Sequence, residues 1–181
     1  MALVEGQALS VAVNLSARQL KEPGLPGLVA DALAVSGLPA ECLELEITES
    51  MQMGDVEHTI RVLKSIRALG VRIAVDDFGT DYSSLSYLQR LPIDTLKIDR
   101  SFVSGCDRGG RMMAIPHAII FLGKTLGLHI VAEGVETAAE RDMLKVCGCN
   151  EYQGYLFSLP LQAAAVDDYL LAASAAGQAR R

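Results

Sequence analysis

Short apolar runs alternate with longer amphipathic segments along most of this chain. Six runs have the length and apolar character of buried strands, at residues 9–14, 43–48, 71–76, 95–99, 129–133 and 152–155. Helical periodicity is found at residues 24–36, 55–69, 82–90, 111–127, 137–147 and 161–173. Because apolar strands that alternate with helices are typical of a parallel sheet covered by helices, the pattern predicts an α/β fold.

Two parallel architectures are compatible with this alternation. A closed (β/α) barrel needs eight strands, whereas an open doubly wound sheet needs only six, so the strand count leaves both open. No Gly-x-Gly-x-x-Gly sequence follows any of the six runs, which removes the usual dinucleotide-binding signature of the open sheet. The tail from Ala172 to Arg181 is small, polar and basic at its end, and is expected to fray.

Composition narrows the class of protein. The 181 residues are 50% hydrophobic, which predicts one compact domain, and the net charge of −6 argues against a nucleic-acid polymer as partner. The sequence predicts neither a signal peptide nor a membrane span. Four cysteines lack the paired spacing of zinc sites and are interpreted as reduced thiols of a cytoplasmic protein, namely Cys42, Cys106, Cys147 and Cys149.

The most informative motif is the adjacent pair Asp76 and Asp77, which follows the third apolar run and precedes a turn-forming stretch that begins at Phe78. Two carboxylates side by side repel each other unless a cation or a shared proton relieves the repulsion. The pair therefore predicts a metal site. For the pair in isolation, the alternative is a solvated loop in which the aspartates only cap the next helix.

Polar or ionisable side chains also lie at the ends of the other predicted strands. The carboxyl ends of parallel strands point to one rim, so these side chains are expected to converge. Each alone has a structural interpretation, such as a helix cap for Asn14 or a surface strand position for Glu46. The joint pattern predicts a functional rim that comprises Asn14, Glu46, Asp76, Asp77, Lys97, Glu133 and Gln153.

The ligand types at this rim indicate the metal. Carboxylate and amide oxygens without cysteine or histidine favour Mg²⁺ or Mn²⁺ over zinc. Four carboxylates exceed what one magnesium ion takes from a protein, so two ions about 3.5–4 Å apart, bridged by Asp76, are expected to support phosphoester hydrolysis. Lys97 would position the attacking water or balance charge. A Schiff-base lysine in an aldolase-like barrel is the competing interpretation of Lys97, although four carboxylates would keep its amine protonated.

Several segments together resemble one protein family. EAL domains, the bacterial cyclic di-GMP phosphodiesterases, carry in the same order segments similar to VNLSARQL, LELEITES, IAVDDFGTDYSSLSYLQRLPIDTLKIDRSFV, LGLHIVAEGVET and GCNEYQGYLFS. The resemblance runs from about Leu9 to about Pro160. Several motifs at matching spacing are far more specific than one short pattern.

The resemblance implies a TIM-like barrel whose first strand is antiparallel, with two metal ions at the rim and cleavage of cyclic di-GMP to linear pGpG. By position, Asn14, Glu46 and Asp76 resemble ligands of the first metal ion. Asp76 and Asp77 resemble the bridging ligand and the ligand of the second ion.

Further roles follow from the same resemblance. Lys97 resembles the lysine that positions the hydrolytic water, and Glu133 resembles the glutamate that serves the second metal or that water. Gln153 resembles a polar group near the reaction centre. Glu49 and Glu136 resemble supporting residues that order the loop after the aspartate pair.

The chain also departs from the family pattern. The Glu-Ala-Leu motif that names the family, and whose glutamate is a metal ligand, does not occur in these 181 residues. The sequence begins just before the strand that is third in the family, so it resembles the carboxyl-terminal three quarters of an EAL domain. The expected fold is therefore an incomplete barrel with six of eight strands. Residues 1–162 are interpreted as a partial EAL domain and residues 163–181 as its terminal helix and frayed tail.

Three substitutions add to this picture. Asp81 stands where the family has glycine, Leu159 replaces a basic residue at the rim, and Glu140 replaces a glutamine and is expected on a helix surface. The resemblance implies metal-dependent hydrolysis of cyclic di-GMP to pGpG, with weak or no turnover by this chain alone. A non-catalytic cyclic di-GMP-binding or regulatory module is the alternative. Unpaired sheet edges favour a homodimer or a strand-completing partner, or prevent stable folding of the isolated chain.

Overall fold

One curled, half-barrel sheet of six parallel strands forms the framework of the chain. The computed structural model describes residues 3–4, 7–49, 55–80 and 85–178. The strands of this sheet, in spatial as well as chain order, are β3 (Val11–Asn14), β4 (Leu43–Thr48), β5 (Arg72–Phe78), β6 (Thr95–Ile98), β7 (His129–Ala132) and β8 (Glu151–Tyr152). A separate antiparallel pair consists of β1 (Leu3–Val4) and β2 (Gln7–Ala8).

The predicted α/β fold with six parallel strands is confirmed, and the strand order explains why the sequence pattern revealed it. Each strand of this sheet pairs with the strand that follows it in the sequence, so neighbours in the chain are also neighbours in space. Strand ends differ by a few residues from prediction. The largest difference is at the last strand, which ends at Tyr152 because a turn begins near Gly154.

Helices lie between successive strands of the sheet, and a last helix follows β8. They are α1 (Ala17–Leu20), α2 (Leu25–Ser36), α3 (Val56–Arg67), α4 (Leu85–Leu88), α5 (Arg100–Val103), α6 (Arg111–Thr125), α7 (Ala138–Cys147) and α8 (Ala163–Gln178). Two short 3₁₀ turns cover Ala40–Cys42 and Cys106–Arg108. The sequence pattern missed α1 and α5, which have four residues each. Of the helix predicted at 82–90, the structure has Leu85–Leu88, and residues 82–84 lie outside the described ranges.

Capping side chains begin the helices at the predicted residues. Asp55 accepts a hydrogen bond of 3.0 Å from the backbone N–H of His58, and Thr137 forms a capping box at the start of α7. Ser16, rather than Asn14, caps α1. The cap interpretation of Asn14 is therefore wrong, and its side chain is available for the rim.

The two faces of the sheet have opposite character. Leu45 and Ile47 of β4 are 3% and 0% exposed and belong to the continuous hydrophobic core between sheet and helices. Glu46, between them, points to the other face and is only 6% exposed. Since strand side chains alternate, one face is apolar and the other carries the polar residues of the rim.

The first strand of the half-barrel is an exposed edge. All four residues of β3 are exposed, including Val11 at 49% and Val13 at 43%, and β4 is the neighbour of β3 in the sheet. An edge strand with apolar side chains is a template for pairing with a further strand. In the described ranges, β3 pairs with a strand on one side only.

Candidate functional site

The rim residues of neighbouring strands are brought together by strand register. Asn14 of β3 pairs with Glu46 of β4, and Thr48 of β4 pairs with Asp76 of β5. Lys97 of β6 pairs with Val131, two positions before Glu133. Because the pairing is parallel and nearly continuous, these side chains lie together at the carboxyl-terminal end of the strands.

Lys97 is the centre of this group. Its Nζ lies 2.5 Å from Glu133 Oε1, 2.7 Å from Glu46 Oε1 and 3.2 Å from Asp76 Oδ1. The lysine is 6% exposed, as is Glu46. One buried ammonium therefore compensates three carboxylates that come from three different strand ends.

Burial and charge act against each other on the pKa of Lys97. Burial disfavours the ammonium and lowers the pKa, but the hydrogen bonds to Glu133 and Glu46 and the nearby charges outweigh burial, so the net shift is upward. The amine is thus held protonated. A Schiff-base nucleophile needs a neutral amine, so this shift disfavours the aldolase-like interpretation.

Glu133 has a raised pKa for a different reason. Burial disfavours its carboxylate form, and the charges of Asp76 and Glu46 act in the same direction, while Lys97 opposes them only in part. One ammonium shared among three carboxylates cannot keep each of them fully compensated. Glu133 therefore binds a proton more readily than an ordinary glutamate does.

Three carboxylates form a group with the dimensions of a cation site. Oxygen atoms of Asp76, Asp77 and Glu133 all lie within 4.8 Å of one another. Asp76 Oδ1 is buried and accepts no aligned hydrogen bond, although Lys97 Nζ is 3.2 Å away. A buried carboxylate oxygen that has an ion pair but no aligned hydrogen bond is suited to bind a metal ion. Oxygen ligands favour magnesium or manganese.

The backbone at the aspartate pair is unusual. Asp77 has φ 54°, the sole non-glycine residue with a positive φ in the described ranges, and the pairing of β5 with β6 shifts register between Val75 and Phe78. This bulge turns two successive carboxylates toward the same group. Two residues after Asp77, the N–H of Gly79 donates a 2.8 Å hydrogen bond to Glu49 Oε2.

The remaining predicted rim residues lie at the two outermost strands of the sheet. Asn14 and Gln153 are exposed, at the first strand and just beyond the last strand of the sheet. Gln153 is held through its backbone, which donates to Ala132 O at 2.8 Å and accepts from Val135 N at 3.0 Å. Glu136 is exposed, and Asp81 lies outside the described residues.

The expectation that Glu140 lies on a helix surface is wrong. It is 6% exposed, and its carboxylate accepts hydrogen bonds of 2.9–3.1 Å from the backbone N–H groups of Gly105, Glu136 and Thr137. Burial favours the neutral acid, but these donors outweigh burial and lower the pKa of Glu140. Glu140 thus ties the start of α7 to the loop after α5.

Two close contacts beneath the rim were missed by sequence reasoning. A Cβ atom on Gly79 would lie 2.9 Å from Phe102 Cε2, and one on Gly134 would lie 2.4 Å from Arg100 Cβ. Each glycine follows a carboxylate of the candidate cation site. A glycine one or two residues after the acidic residue was the available signal, but the contacting residue on α5 cannot be read from the sequence.

The sequence of this chain is similar to those of known proteins. The family model of the EAL domain matches residues 1–160. The cyclic di-GMP phosphodiesterase NbdA of Pseudomonas aeruginosa is 47% identical over 166 residues, which are 92% of this chain and 21% of NbdA. This chain thus spans about a fifth of the length of the curated relatives it matches.

Solved structures share the fold. The EAL domain of Mycobacterium smegmatis DcpA is similar with a TM-score of 0.86 and 41% identity, over 91% of this chain and 74% of that one. The manganese and cyclic di-GMP complex of Klebsiella pneumoniae BlrP1 has a TM-score of 0.77 and 35% identity, over 83% and 39%. A calcium and cyclic di-GMP complex of BlrP1 is similar as well. In the described ranges, no helix has both the length and the hydropathy needed to cross a membrane.

Proposed function

This chain belongs to the EAL domain family, and we propose that it contributes to metal-dependent hydrolysis of cyclic di-GMP to linear pGpG. The observation that carries the proposal is the group of Asp76, Asp77 and Glu133 within 4.8 Å, next to a protonated Lys97. NbdA is named a cyclic di-GMP phosphodiesterase, and BlrP1 was solved with cyclic di-GMP and manganese.

The charge of the site supports a divalent metal as cofactor. Four carboxylates and one ammonium leave an excess of negative charge that would repel an anionic phosphodiester. When bound, magnesium or manganese ions neutralise the carboxylates, polarise the phosphoryl oxygens and lower the pKa of a water. Two ions are proposed because the carboxylates outnumber the ligands that one magnesium ion takes from a protein.

The ligands divide between the two ions. Asn14, Glu46 and Asp76 would hold the first ion, which agrees with the register that pairs Asn14 with Glu46. Asp76, Asp77 and Glu133 would hold the second, with Asp76 shared. The oxygen donors fit both ions because carboxylate and amide oxygens are the ligands that magnesium and manganese prefer.

Lys97 and Glu133 are proposed to handle charge and protons. The raised pKa of Lys97 keeps its ammonium charged, so it can orient the attacking water and stabilise negative charge at the phosphoryl group, but it cannot act as the base. The raised pKa of Glu133 brings this carboxylate closer to the range in which it accepts a proton from water.

Residues around the centre are proposed to support it. Glu49 would order the loop after the aspartate pair, which is supported by its 2.8 Å hydrogen bond from Gly79. Glu136 is proposed for the same loop, and Gln153 as a polar group that contacts substrate at the open side of the rim.

The proposal extends to the assembly of the chain and to its location in the cell. The exposed β3 edge supports a homodimer or a strand-completing partner that extends the sheet beyond Val13. Four free cysteines agree with a cytoplasmic location. Residues 1–162 are proposed as the EAL unit, with α8 as its terminal helix.

Hydrolysis of cyclic di-GMP with Mg²⁺ or Mn²⁺, followed by chromatography of pGpG, tests the proposal. We expect metal-dependent pGpG formation that is lost in Asp76→Asn and kept in Asp31→Asn, an exposed aspartate on α2. No turnover with either ion would refute catalysis by this chain. If calorimetry then showed binding of cyclic di-GMP, the regulatory-module alternative would be favoured.

A further inference from the structure

The short helix α5 lies against both segments that follow the candidate metal ligands, at Gly79 after β5 and at Gly134 after Glu133. A Cβ atom on Gly79, two residues after Asp77, would lie 2.9 Å from Phe102 Cε2. A Cβ atom on Gly134, directly after Glu133, would lie 2.4 Å from Arg100 Cβ and 3.3 Å from Arg100 Cα. One turn of helix therefore contacts the chain beside both acidic residues.

Gly79 is held from two sides. Its N–H donates to Glu49 Oε2 at 2.8 Å, while the ring of Phe102 and the Cδ1 atom of Ile119 face the position of its missing side chain. Its φ of +99° lies in the region that favours glycine. Neither the contact nor the backbone conformation leaves room for another residue at this position.

This restraint acts next to a strained aspartate. Asp77 has φ 54°, and a left-handed conformation at a non-glycine residue persists only where the surroundings over-determine it. The hydrogen bond from Gly79 to Glu49 restrains one side of the loop, and Phe102 restrains the other. Without the ring, Gly79 could move and Asp77 could relax to an extended conformation that directs its carboxylate elsewhere.

We propose that Phe102 is a positioning residue for the metal ligands. Its ring holds Gly79 in place, so that Asp77 keeps the conformation in which its carboxylate lies within 4.8 Å of those of Asp76 and Glu133. This inference rests on the proposed function insofar as the group binds metal. Phe102 contacts the loop and acts through it, so it is distinct from the ligands themselves.

The next residue on the same helix provides a matched control. Val103 is 0% exposed and belongs to the core, whereas Phe102 is only partly buried and packs at the edge of the core. Truncation of Val103 removes core packing without a Gly79 contact. A purely structural role of Phe102 would therefore give Phe102→Ala and Val103→Ala the same consequences.

Two measurements on the full chain test the proposal in Phe102→Ala, Phe102→Leu and Val103→Ala. Calorimetry with Mn²⁺ gives metal affinity, and we expect Phe102→Ala to weaken it about tenfold, as supporting residues of metal sites typically do. Phe102→Leu should restore most of the affinity. Val103→Ala should lose stability but stay within about twofold of wild-type affinity, well below that range.

Amide hydrogen exchange at Gly79 is the second measurement, and it needs no metal. We expect Phe102→Ala to accelerate this exchange about tenfold relative to core amides, while Val103→Ala does not. Equal Gly79 exchange in Phe102→Ala and wild type would overturn the proposal, as would equal Mn²⁺ affinity. A wild-type chain that binds no Mn²⁺ would refute the proposed function alone, since the exchange measurement still decides the role of Phe102.

Discussion

Lys97 on β6 and Glu133 just after β7 form an ion pair of 2.5 Å inside a largely buried rim. The same ammonium contacts Glu46 and Asp76, so one positive charge compensates carboxylates at the ends of three strands. Removing one partner of a buried ion pair leaves uncompensated charge, which costs more than the pair contributes. The stability of the rim therefore depends on Lys97 whenever no metal is bound.

Lys97→Met should destabilise the metal-free protein by about 3 kcal/mol near neutral pH, because Glu46, Asp76 and Glu133 lose their buried counter-charge. Urea denaturation measures the loss. The loss of stability in Lys97→Met should become smaller as pH falls, since protonation relieves the repulsion between the carboxylates. Lys145→Met, at an exposed position of α7, is the control, and equal midpoints for Lys97→Met and wild type would contradict the prediction.

Asp76→Asn should abolish stabilisation by Mn²⁺, because Asp76 is the proposed shared ligand. For the wild type, Mn²⁺ at 100 times its Kd should raise the free energy of unfolding by about 2.7 kcal/mol. Thermal unfolding with and without Mn²⁺ measures this difference. Asp31→Asn should behave as wild type, and a full Mn²⁺ response in Asp76→Asn would exclude Asp76 as an essential ligand.

Val13→Lys should reduce self-association through the β3 edge. Val13 is 43% exposed on a strand whose free side can pair with a further strand, and lysine is a residue that blocks such pairing. Sedimentation velocity over a range of protein concentrations reports the change. Val35→Lys, at an 89% exposed site on α2, should leave association unchanged, so equal effects of the two variants would argue against the β3 edge.

Glu140→Gln should cost about 2 kcal/mol at neutral pH, because three backbone N–H groups lose a charged acceptor. The pKa of Glu140 is lowered by those bonds, which outweigh its burial. Its contribution is therefore fully present above the unfolded pKa near 4.5 and is lost as pH falls through the lower folded value.

Denaturation of Glu140→Gln and wild type from pH 7 to pH 3 tests whether the contribution of Glu140 to stability is lost as pH falls. The two curves should converge on the acidic side. Asp142→Asn, an exposed change on the same helix, should run parallel to wild type. A deficit in Glu140→Gln that stays constant down to pH 3 would show that the charge of Glu140 is irrelevant.

Alanine substitutions at two helical glycines should change the free energy of unfolding in opposite directions. At Gly27 a Cβ meets nothing within 4 Å, so Gly27→Ala should stabilise α2 by about 0.5–1 kcal/mol. At Gly123 a Cβ would lie 2.1 Å from Ile130 Cδ1, and overpacking should cost about 1–3 kcal/mol. Chemical denaturation compares them, and stabilisation by both variants would mean that Ile130 moves aside freely.

Much of the fold could be predicted from the sequence because its signals are local. Strand β4 has the predicted bounds, Leu43–Thr48, since its apolar and polar residues alternate on a half-buried sheet. Asp55 and Thr137 cap helices as expected, because a cap and its N–H partner are three residues apart. The convergence of Glu46, Asp76 and Glu133 on Lys97 was predictable because parallel strands direct their carboxyl ends to one end of the sheet.

Contacts between distant segments were not predictable in this way. Glu140 was expected at a helix surface, yet it binds the N–H of Gly105 across the fold. The left-handed backbone of Asp77 and the contact of Phe102 with Gly79 likewise depend on how α5 packs against the segment just after β5. No local period encodes such distances.

The sequence by itself therefore determined the alternation of strands and helices, the family resemblance and a candidate set of polar strand-end residues, because periodicity and strand ends are properties of neighbouring residues. Only the tertiary structure decided which carboxylates share Lys97, and that Asp76, Asp77 and Glu133 gather within 4.8 Å. Strand register and the bulge at Asp77 set those distances. Electrostatic pairing depends on separation in space, which the chain acquires only when its sheet curls.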